Sequence, residues 1–198
     1  MDWEQRYAGT TQLFGDAPSE LLLSEQHRLQ PGLRLLAVGD GEGRNGVWLA
    51  TQGLEVTAID ISATALQRSQ TRAKLNHTRL ETICANIMQW AWPADTFDVI
   101  TSIFVHSPPA QRQFLHQSIY HAVKPGGLIL IEAFHADQLR LKSGGPRDPS
   151  LLLTEDMLIK DFEDAEILRL EQVTTKVAIN GQLHGDGSAL HFVARRPA

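Results

Sequence analysis

The stretch "LLAVGDGEGRNGVWLA", residues 35–50, decides the fold of this chain. An apolar run leads into a cluster of glycines, and a segment of helical period follows, so the stretch predicts a strand, a tight turn and a helix. The glycines fit two patterns at once. Gly39, Gly41 and Gly43 form G-x-G-x-G. With Gly46, the last two of these also form G-x-G-x-x-G, the pyrophosphate turn of dinucleotide-binding folds.

Composition and charge limit the classes of function. The chain has 198 residues, of which 42% are hydrophobic, and one cysteine, Cys84. This size predicts a single domain, residues 1–198, that buries a sizeable core without disulfides. No apolar run near the start reaches the length of a signal peptide or a membrane span, so we expect a cytoplasmic protein without membrane contact. The formal net charge is −5 and the 18 Lys and Arg are scattered, which argues against nucleic acid and favours a small-molecule substrate for a monomer or homodimer.

Short runs rich in β-branched residues alternate with segments of helical period. For the first five strands this alternation predicts right-handed crossovers and a parallel sheet. The strand candidates are residues 33–39, 54–60, 80–86, 97–105, 128–134, 167–179 and 189–195. The helix candidates are residues 18–29, 44–52, 62–76, 108–123 and 154–162. The expected fold class is α/β, a three-layer doubly wound sheet of seven mostly parallel strands.

The last two strands should form an antiparallel hairpin. Only "NGQLHGDGS" separates them, and it contains two turn-forming pairs, Asn180-Gly181 and Asp186-Gly187. Because the sixth strand should run parallel to the first five, the hairpin loop is expected at the same sheet edge as the glycine turn.

Ligands of open α/β sheets bind outside the carboxyl ends of the parallel strands. After the first strand, the glycines let the backbone approach a ligand closely. The helix that follows offers free N–H groups suited to a carboxylate. The cofactor-binding candidates in this turn are Gly39, Asp40, Gly41, Gly43, Arg44 and Asn45.

The next strand ends supply an adenosine site. Asp60 ends the second strand, where a carboxylate accepts both hydroxyls of a ribose. NAD enzymes use the same device, and an Asp beside Ser62 also fits helix capping, so these alternatives stay open. Asn86 ends the third strand, where its side-chain carbonyl suits the exocyclic amine of adenine. The apolar cofactor-binding candidates are Ile61, Ile87 and Ile103.

Four stretches together resemble class I methyltransferases of the tellurite-resistance and thiopurine-methyltransferase type: "GEGRNGVWLATQGLEVTAIDIS", "FDVITSIFVHSPP", "AVKPGGLILIEAF" and "GGPRDP". The resemblance covers nearly the whole chain, including "WEQRYAG" near the N-terminus. It implies S-adenosylmethionine (SAM) as the cofactor and the G-x-G-x-G reading of the turn. It also implies a Rossmann-like class I fold with an antiparallel seventh strand, and a small-molecule methyl acceptor.

The resemblance further implies a cover for the cofactor. In such enzymes the N-terminal segment closes over the cofactor, so residues 1–30 are expected to form a helical lid on a core of residues 31–198. The aromatic residues of this lid would be Trp3, Tyr7 and Phe14, with Tyr7 as a cofactor-binding candidate. For Trp3, an ordinary anchor on the core fits equally well.

One position departs from the family pattern. The family usually has an acidic residue two positions before the first glycine, where this chain has Ala37. The carboxylate that attracts the cofactor's ammonium group has therefore either moved to Asp40 or is absent.

The acceptor side is expected to be rich in imidazoles. The predicted topology brings His184 to the ligand edge beside His106 and His135. The resemblance strengthens His184, because tellurite-resistance-type methyltransferases carry a functional His in a corresponding Glu-Leu-His. Those relatives continue with Arg, whereas this chain has Gly185, and Arg147 is the candidate for the missing positive charge.

These residues suggest the chemistry of the acceptor. A neutral imidazole suits proton acceptance from a thiol or from a selenium or tellurium species. The catalytic candidates are therefore His184, His106 and Arg147. No metal site is expected, because no two of the histidines are spaced as a local ligand pair.

Other classes of function remain as alternatives. Base methylation is disfavoured, because the turn after the fourth strand reads Ser107-Pro108-Pro109-Ala110 and Cys84 lies inside a strand. A non-catalytic SAM-binding sensor or scaffold would fit the missing acid at position 37. An NAD(P)-dependent oxidoreductase would fit the G-x-G-x-x-G reading of the turn.

Overall fold

The computed structural model describes residues 2–179 and 182–198. Within these residues, seven strands form one sheet in the order β3-β2-β1-β4-β5-β7-β6. The strands are β1 (Arg34–Val38), β2 (Glu55–Asp60), β3 (Glu81–Cys84), β4 (Phe97–Ile103), β5 (Val123–Phe134), β6 (Glu166–Ile179) and β7 (Gln182–Arg195). The first five run parallel, and β7 runs antiparallel to both β5 and β6. The predicted fold class is confirmed.

The helices lie on both faces of the sheet. In the described part of the chain they are α1 (Trp3–Ala8), α2 (Glu20–Ser24), α3 (Gly46–Thr51), α4 (Ala63–Leu75), α5 (Pro109–Ala122) and α6 (Glu155–Asp161). One buried cluster joins Ile100 of β4 to α5 and α6, and another joins the adjacent Val99 to α2 and α3. Because neighbouring residues of one strand face opposite clusters, the central strands are apolar throughout and both faces are covered. The architecture therefore has three layers.

Local capping signals agree with two helix starts. The Ser62 hydroxyl accepts a hydrogen bond from Ala65 N at the start of α4, and the Thr154 hydroxyl accepts one from Met157 N at the start of α6. Each satisfies a backbone donor that the first helical turn leaves unpaired.

The connection from β3 to β4 departs from the predicted alternation. Residues 85–96 contain a hydrogen-bonded turn at Asn86 but no helix. Trp90 and Trp92 pack against the core instead, with ring centroids 5.0 Å apart, and the Trp92 indole donates to Ile87 O at 2.9 Å. Two large aromatic side chains thus cover the surface that a crossover helix would cover.

Several predicted boundaries are wrong by a few residues. The helix expected over residues 18–29 is α2 followed by a short 3₁₀ turn, and the helix expected from residue 44 begins at Gly46. In the second case Gly43 is left-handed and its N–H bonds to Asp40 O, which keeps residues 41–45 in the turn. Strand β5 begins five residues before its predicted start at residue 128.

The C-terminal hairpin is longer than expected. Strand pairing continues to Ile179 and Gln182, so much of the predicted loop belongs to β7. The pair Asn180-Gly181 lies outside the described residues. The turn predicted at Asp186-Gly187 is wrong, because Gly187 pairs with Thr175 inside the hairpin. A Cβ on Gly187 would lie 2.7 Å from a methyl group of Val177, so the glycine is needed for packing there.

Across the described ranges, no helix is both long and apolar enough to cross a bilayer.

The entry into β5 gives a stability prediction. A Cβ on Gly127 would lie 2.8 Å from Asp98 O and 2.9 Å from Lys124 O, both backbone atoms, whereas Gly126 has open space and φ 81°. Gly127→Ala should lower the free energy of unfolding by about 1 to 3 kcal/mol through overpacking. Gly126→Asn, the control, should change it little because Asn tolerates the left-handed region. Urea unfolding measures both, and equal stabilities of the two variants would contradict the collision.

Candidate functional site

The site is organised by a carboxylate between two strand ends. Asp60 ends β2, and its Oδ2 accepts a hydrogen bond from Gly41 N at 2.9 Å while its Oδ1 accepts one from Ser62 N at 2.9 Å. Burial raises the pKa of Asp60, and the backbone donors oppose that rise. A carboxylate has about four acceptor positions. Asp60 therefore holds the turn after β1 against the start of α4 and keeps capacity for further donors such as ribose hydroxyls.

The turn after β1 needs its first three glycines for space. Gly39, Gly41 and Gly43 have φ of 61°, 57° and 78°. Added Cβ atoms would lie 2.6 Å from Val105, 2.3 Å from the Tyr7 hydroxyl and 2.2 Å from the Ser69 hydroxyl, respectively. These are the glycines of the G-x-G-x-G reading.

Gly46 serves a different purpose from the other glycines. Its N–H donates to Asp40 Oδ1 at 2.9 Å, and a Cβ there would lie 2.3 Å from Asp40 Oδ2. The Asp40 carboxylate thus occupies the N-terminus of α3. That this terminus receives a carboxylate of the cofactor stays a prediction; an ionised Asp40 would repel such a group and compete with it for the Gly46 N–H. The same repulsion opposes a pyrophosphate and the G-x-G-x-x-G reading.

Asp40 is an unsatisfied buried acid. Its Oδ2 is buried and has no hydrogen-bond partner. Burial raises the pKa of Asp40 to about 7, and the Gly46 N–H and Arg44 only partly offset that effect. An orphaned buried carboxylate oxygen is suited to a cationic donor. The residues present therefore fit a cofactor that carries an ammonium group.

Residues 2–19, named the strap here, lie across this turn. The Tyr7 ring packs with Trp3 and Phe14 at centroid distances of 6.0 and 6.4 Å, and its hydroxyl lies over Gly41. Burial raises the pKa of Tyr7, and the charges of three nearby carboxylates raise it further. Glu4, one turn earlier, accepts hydrogen bonds from both the Ser62 hydroxyl and the Thr64 hydroxyl.

The rest of the strap is also bonded to the turn. Leu13 N donates to Glu42 Oε2 at 2.8 Å, and Glu42 Oε1 accepts from Arg68 at 2.7 Å. Arg44 Nη1 donates to Ala17 O at 3.1 Å. The structure therefore brings the predicted turn and the predicted aromatic lid residues together, with the strap closed.

Two further polar contacts hold the last residue of the strap, Ser19. Ser19 N donates to Asn45 Oδ1 at 2.9 Å, and the Ser19 hydroxyl donates to Glu132 Oε2. Asn45 was expected at the cofactor, and its side-chain oxygen is used by the strap instead. The sequence analysis did not identify Glu132. The feature that could have indicated it is a single acidic residue inside the apolar run "LILIEAF".

The adenine side is more open than the turn. Ile61 is 51% exposed, Asn86 is exposed and Ile87 is half-buried. The Asn86 Oδ1 atom accepts from Met88 N at 3.0 Å, so the oxygen expected at the adenine amine already has one backbone donor. Ile103 is buried at the end of β4.

An aromatic group follows β4. Phe104 has φ 56°, a left-handed conformation that is uncommon for a bulky residue and found most often at functional sites. His106 stacks on Phe134 with centroids 5.5 Å apart, and Phe104 packs on Phe134 at 4.7 Å. Burial lowers the pKa of His106 to about 4. Phe104, His106 and Phe134 together are called the wall below. The wall is apolar, and it is uncharged at neutral pH.

The other predicted acceptor-side residues make no side-chain hydrogen bond or ring contact with this wall in the described part of the chain. His184 is exposed on β7, beside an irregularity in the pairing with β6. Arg147 is exposed and donates to Leu141 O at 2.8 Å. His135 Nδ1 accepts from Asp137 N at 3.2 Å, and its Nε2 lies 3.5 Å from Glu155. Among the contacts recorded for residues 2–179 and 182–198, none joins His106, His135 and His184.

Among the described residues, no group of three or more His, Cys, Asp or Glu side chains could hold a metal ion.

The raised pKa of Asp40 gives a pH prediction for the ligand-free protein. Between about pH 4 and pH 7 the native state keeps this proton and the unfolded state loses it, so stability should fall as pH rises. Asp40→Asn cannot lose the proton and should be more stable than the wild type at pH 8 by roughly 2 to 4 kcal/mol, with little difference near pH 4. Urea unfolding at both pH values measures this, and parallel pH profiles would contradict it.

Comparison with known proteins agrees with this geometry. The family described as "Methyltransferase domain" matches residues 35–127. Probable thiol methyltransferase 2 of Arabidopsis thaliana is 30% identical over 151 residues, which cover 73% of this chain and 65% of the relative. The chain spans less than two thirds of the length of the first curated relatives that it matches.

Solved structures extend the likeness to the whole fold. A SAM-dependent methyltransferase from Methanosarcina mazei matches with a TM-score of 0.74 and 19% identity, over 91% of this chain and 99% of that chain. TehB from Haemophilus influenzae matches with a TM-score of 0.73 and 20% identity, over 98% of this chain and 66% of that chain. Residues 35–127 are therefore similar to the methyltransferase domain family, and the chain has the fold of these solved structures.

Proposed function

We propose that this protein transfers the methyl group of SAM to a small, soft nucleophile, a thiol in the first place and otherwise a selenium or tellurium species. The observation that carries the proposal is the turn of three left-handed glycines tied to Asp60, with the buried acid Asp40 beside it. This arrangement suits a cationic adenosyl ligand and opposes an anionic dinucleotide.

The cofactor would be held from both ends. Asp60 would accept the ribose hydroxyls, and Ile61, Asn86, Ile87 and Ile103 would border the adenosine. Asp40 would pair with the ammonium group and so replace the acid missing at Ala37. When bound, SAM supplies a methyl group on a positively charged sulfonium.

Arg44 is the candidate for the carboxylate at the methionine end. It is half-buried, and burial lowers the pKa of its guanidinium while Glu132 and Asp40 oppose that shift. Its Nη1 bond to Ala17 O also links this cation to the strap. We therefore assign Arg44, Asn45 and Tyr7 to the covered half of the cofactor site.

The acceptor would meet an apolar wall. Methyl transfer is an in-line displacement, so the protein contributes alignment and exclusion of water. With a pKa of about 4, His106 is poorly matched to accept a thiol proton at neutral pH, and its role would be to orient the acceptor against Phe134. Proton acceptance is assigned to His184, and Arg147 would serve an anionic acceptor. The relative named as a probable thiol methyltransferase supports a sulfur acceptor.

A SAM-binding sensor without turnover is the second candidate. The observation that favours it is the strap, which is bonded to the turn along its length. Release of S-adenosylhomocysteine (SAH) during incubation with an acceptor separates the two functions, because a sensor binds SAM and releases no SAH.

The assignment of Asp60 is tested by binding. Asp60→Ala should weaken SAM binding by on the order of 1 to 3 kcal/mol, because charge-assisted hydrogen bonds are lost. Titration calorimetry measures the change, and thermal melting without ligand checks that the variant is folded. Asp156→Ala, an exposed acid of α6, is the control. An unchanged dissociation constant for a folded Asp60→Ala would refute the assignment.

The assignment of His184 is tested by turnover. SAH release is measured with hydrosulfide, thiophenol, selenite and tellurite as acceptors. His184→Ala should lower kcat about a hundredfold, the lower end of the range for a lost general base, and leave SAM affinity nearly unchanged. His27→Ala, another exposed imidazole, is the control. A normal rate in a folded His184→Ala would remove His184 from the mechanism.

A further inference from the structure

Glu132 is a buried acid outside the predicted site. It lies in β5 with 1% of its surface exposed, between Ile131 and Ala133, which are also buried. One carboxylate oxygen accepts from the Ser19 hydroxyl and the other lies 3.4 Å from His191 Nε2 on β7. A carboxylate at such a depth is costly unless its partners are retained. The Ser19 contact is therefore more than a surface hydrogen bond.

Two residues at N-cap positions near this acid do not cap their own helices. Ser19 precedes α2 and Asn45 precedes α3, both at N-cap positions, yet neither side chain makes a cap hydrogen bond. Instead, the Ser19 hydroxyl donates a hydrogen bond to Glu132, and Asn45 Oδ1 accepts a hydrogen bond from Ser19 N. Ser and Asn at these positions usually bond their own helix. Here both are used to join the strap to the sheet and to the glycine turn.

The contact between Ser19 and Glu132 lies at the end of the strap, which covers the glycine turn. The strap begins with Glu4 bonded at α4, passes over Gly41 with Tyr7, and ends at Ser19. It covers the turn that would hold the methionine half of SAM, whereas the adenine side at Ile61 and Asn86 stays open. If the methionine half of SAM binds under the strap, it can leave fully only after the strap detaches.

We propose that Glu132 is a positioning residue, which holds the strap closed through Ser19 and so sets the rate at which cofactor and cofactor product exchange. The proposal rests on the proposed function in one respect, namely that the cofactor binds under the strap. Arg44 belongs to the same junction, because its charge interacts with Glu132 and its side chain donates to Ala17 O. Glu132 acts on the strap through the Ser19 hydroxyl.

The test compares hydroxyl variants of α2 and its cap. Ser19→Ala removes the donor to Glu132, and Ser19→Thr restores a hydroxyl. Ser24→Ala is the control on the same helix, because the Ser24 hydroxyl donates to Leu21 O and accepts from Arg169 Nη1, and neither contact involves Glu132. Glu132→Gln is the companion variant. Each is examined for hydrogen–deuterium exchange of residues 2–19 without ligand and for the dissociation rate of SAH by stopped flow.

The expected results distinguish a local release of the strap from a general loss of stability. In Ser19→Ala, exchange in the strap and the SAH dissociation rate should each rise about tenfold, the factor expected for one lost hydrogen bond to a charged group. Exchange in β1 and β4 should stay as in the wild type. The KM for SAM should rise while kcat stays equal or rises, because product release becomes faster. Ser19→Thr should return all values toward the wild type.

Two failures are distinguishable. If the wild-type protein binds no SAH, the proposed function fails, and strap exchange in the ligand-free variants still decides whether Ser19 and Glu132 hold the strap. If the wild type binds SAH but Ser19→Ala shows wild-type strap exchange and wild-type SAH dissociation, the proposal that Glu132 holds the strap through Ser19 is overturned. If Glu132→Gln proves unstable, Ser19→Ala alone decides, since it leaves the carboxylate and His191 in place.

Discussion

The hydrogen bond from Gly41 N to Asp60 Oδ2 is the contact on which the rest of the site depends. It joins the turn after β1 to the tip of β2, two neighbouring parallel strands whose carboxyl ends meet at one edge of the sheet. Because the turn is fixed there, Gly41 can lie directly under Tyr7 and Gly43 against α4. The turn, the strap and the start of α4 are therefore one bonded unit.

The charge of this unit selects its ligand. Asp40, Glu42 and Asp60 are all buried in or beside the turn, and all three raise the pKa of Tyr7. Glu42 is paired with Arg68, whereas one oxygen of Asp40 has no partner. A buried excess of negative charge favours a sulfonium and an ammonium and opposes two phosphates. The proposed G-x-G-x-G reading of the turn thus has support from electrostatics as well as from spacing.

The sequence was sufficient for the architecture because strand runs and glycine spacing are local signals. It was insufficient where tertiary packing replaces a local rule. Trp90 and Trp92 take the place of a crossover helix, and Gly187 is required by Val177 inside a strand although it reads as a turn. Asp60 could be chosen from its position at a strand end. The partnership of Ser19 with Glu132 could not, because these residues are far apart in the chain and Ser19 reads as an ordinary helix cap.

The two sides of the site differ in polarity, and this difference bears on the chemistry. The turn side is acidic, while the wall of Phe104, His106 and Phe134 is apolar and neutral at pH 7. A thiolate approaching a sulfonium along such a wall loses water that would otherwise stabilise it, and the opposite charges of the two reactants are neutralised in the transition state. In the proposed mechanism, a strap that excludes water from the cofactor during methyl transfer would also delay release of the product. Turnover would then depend on how firmly Ser19 holds the strap to the sheet.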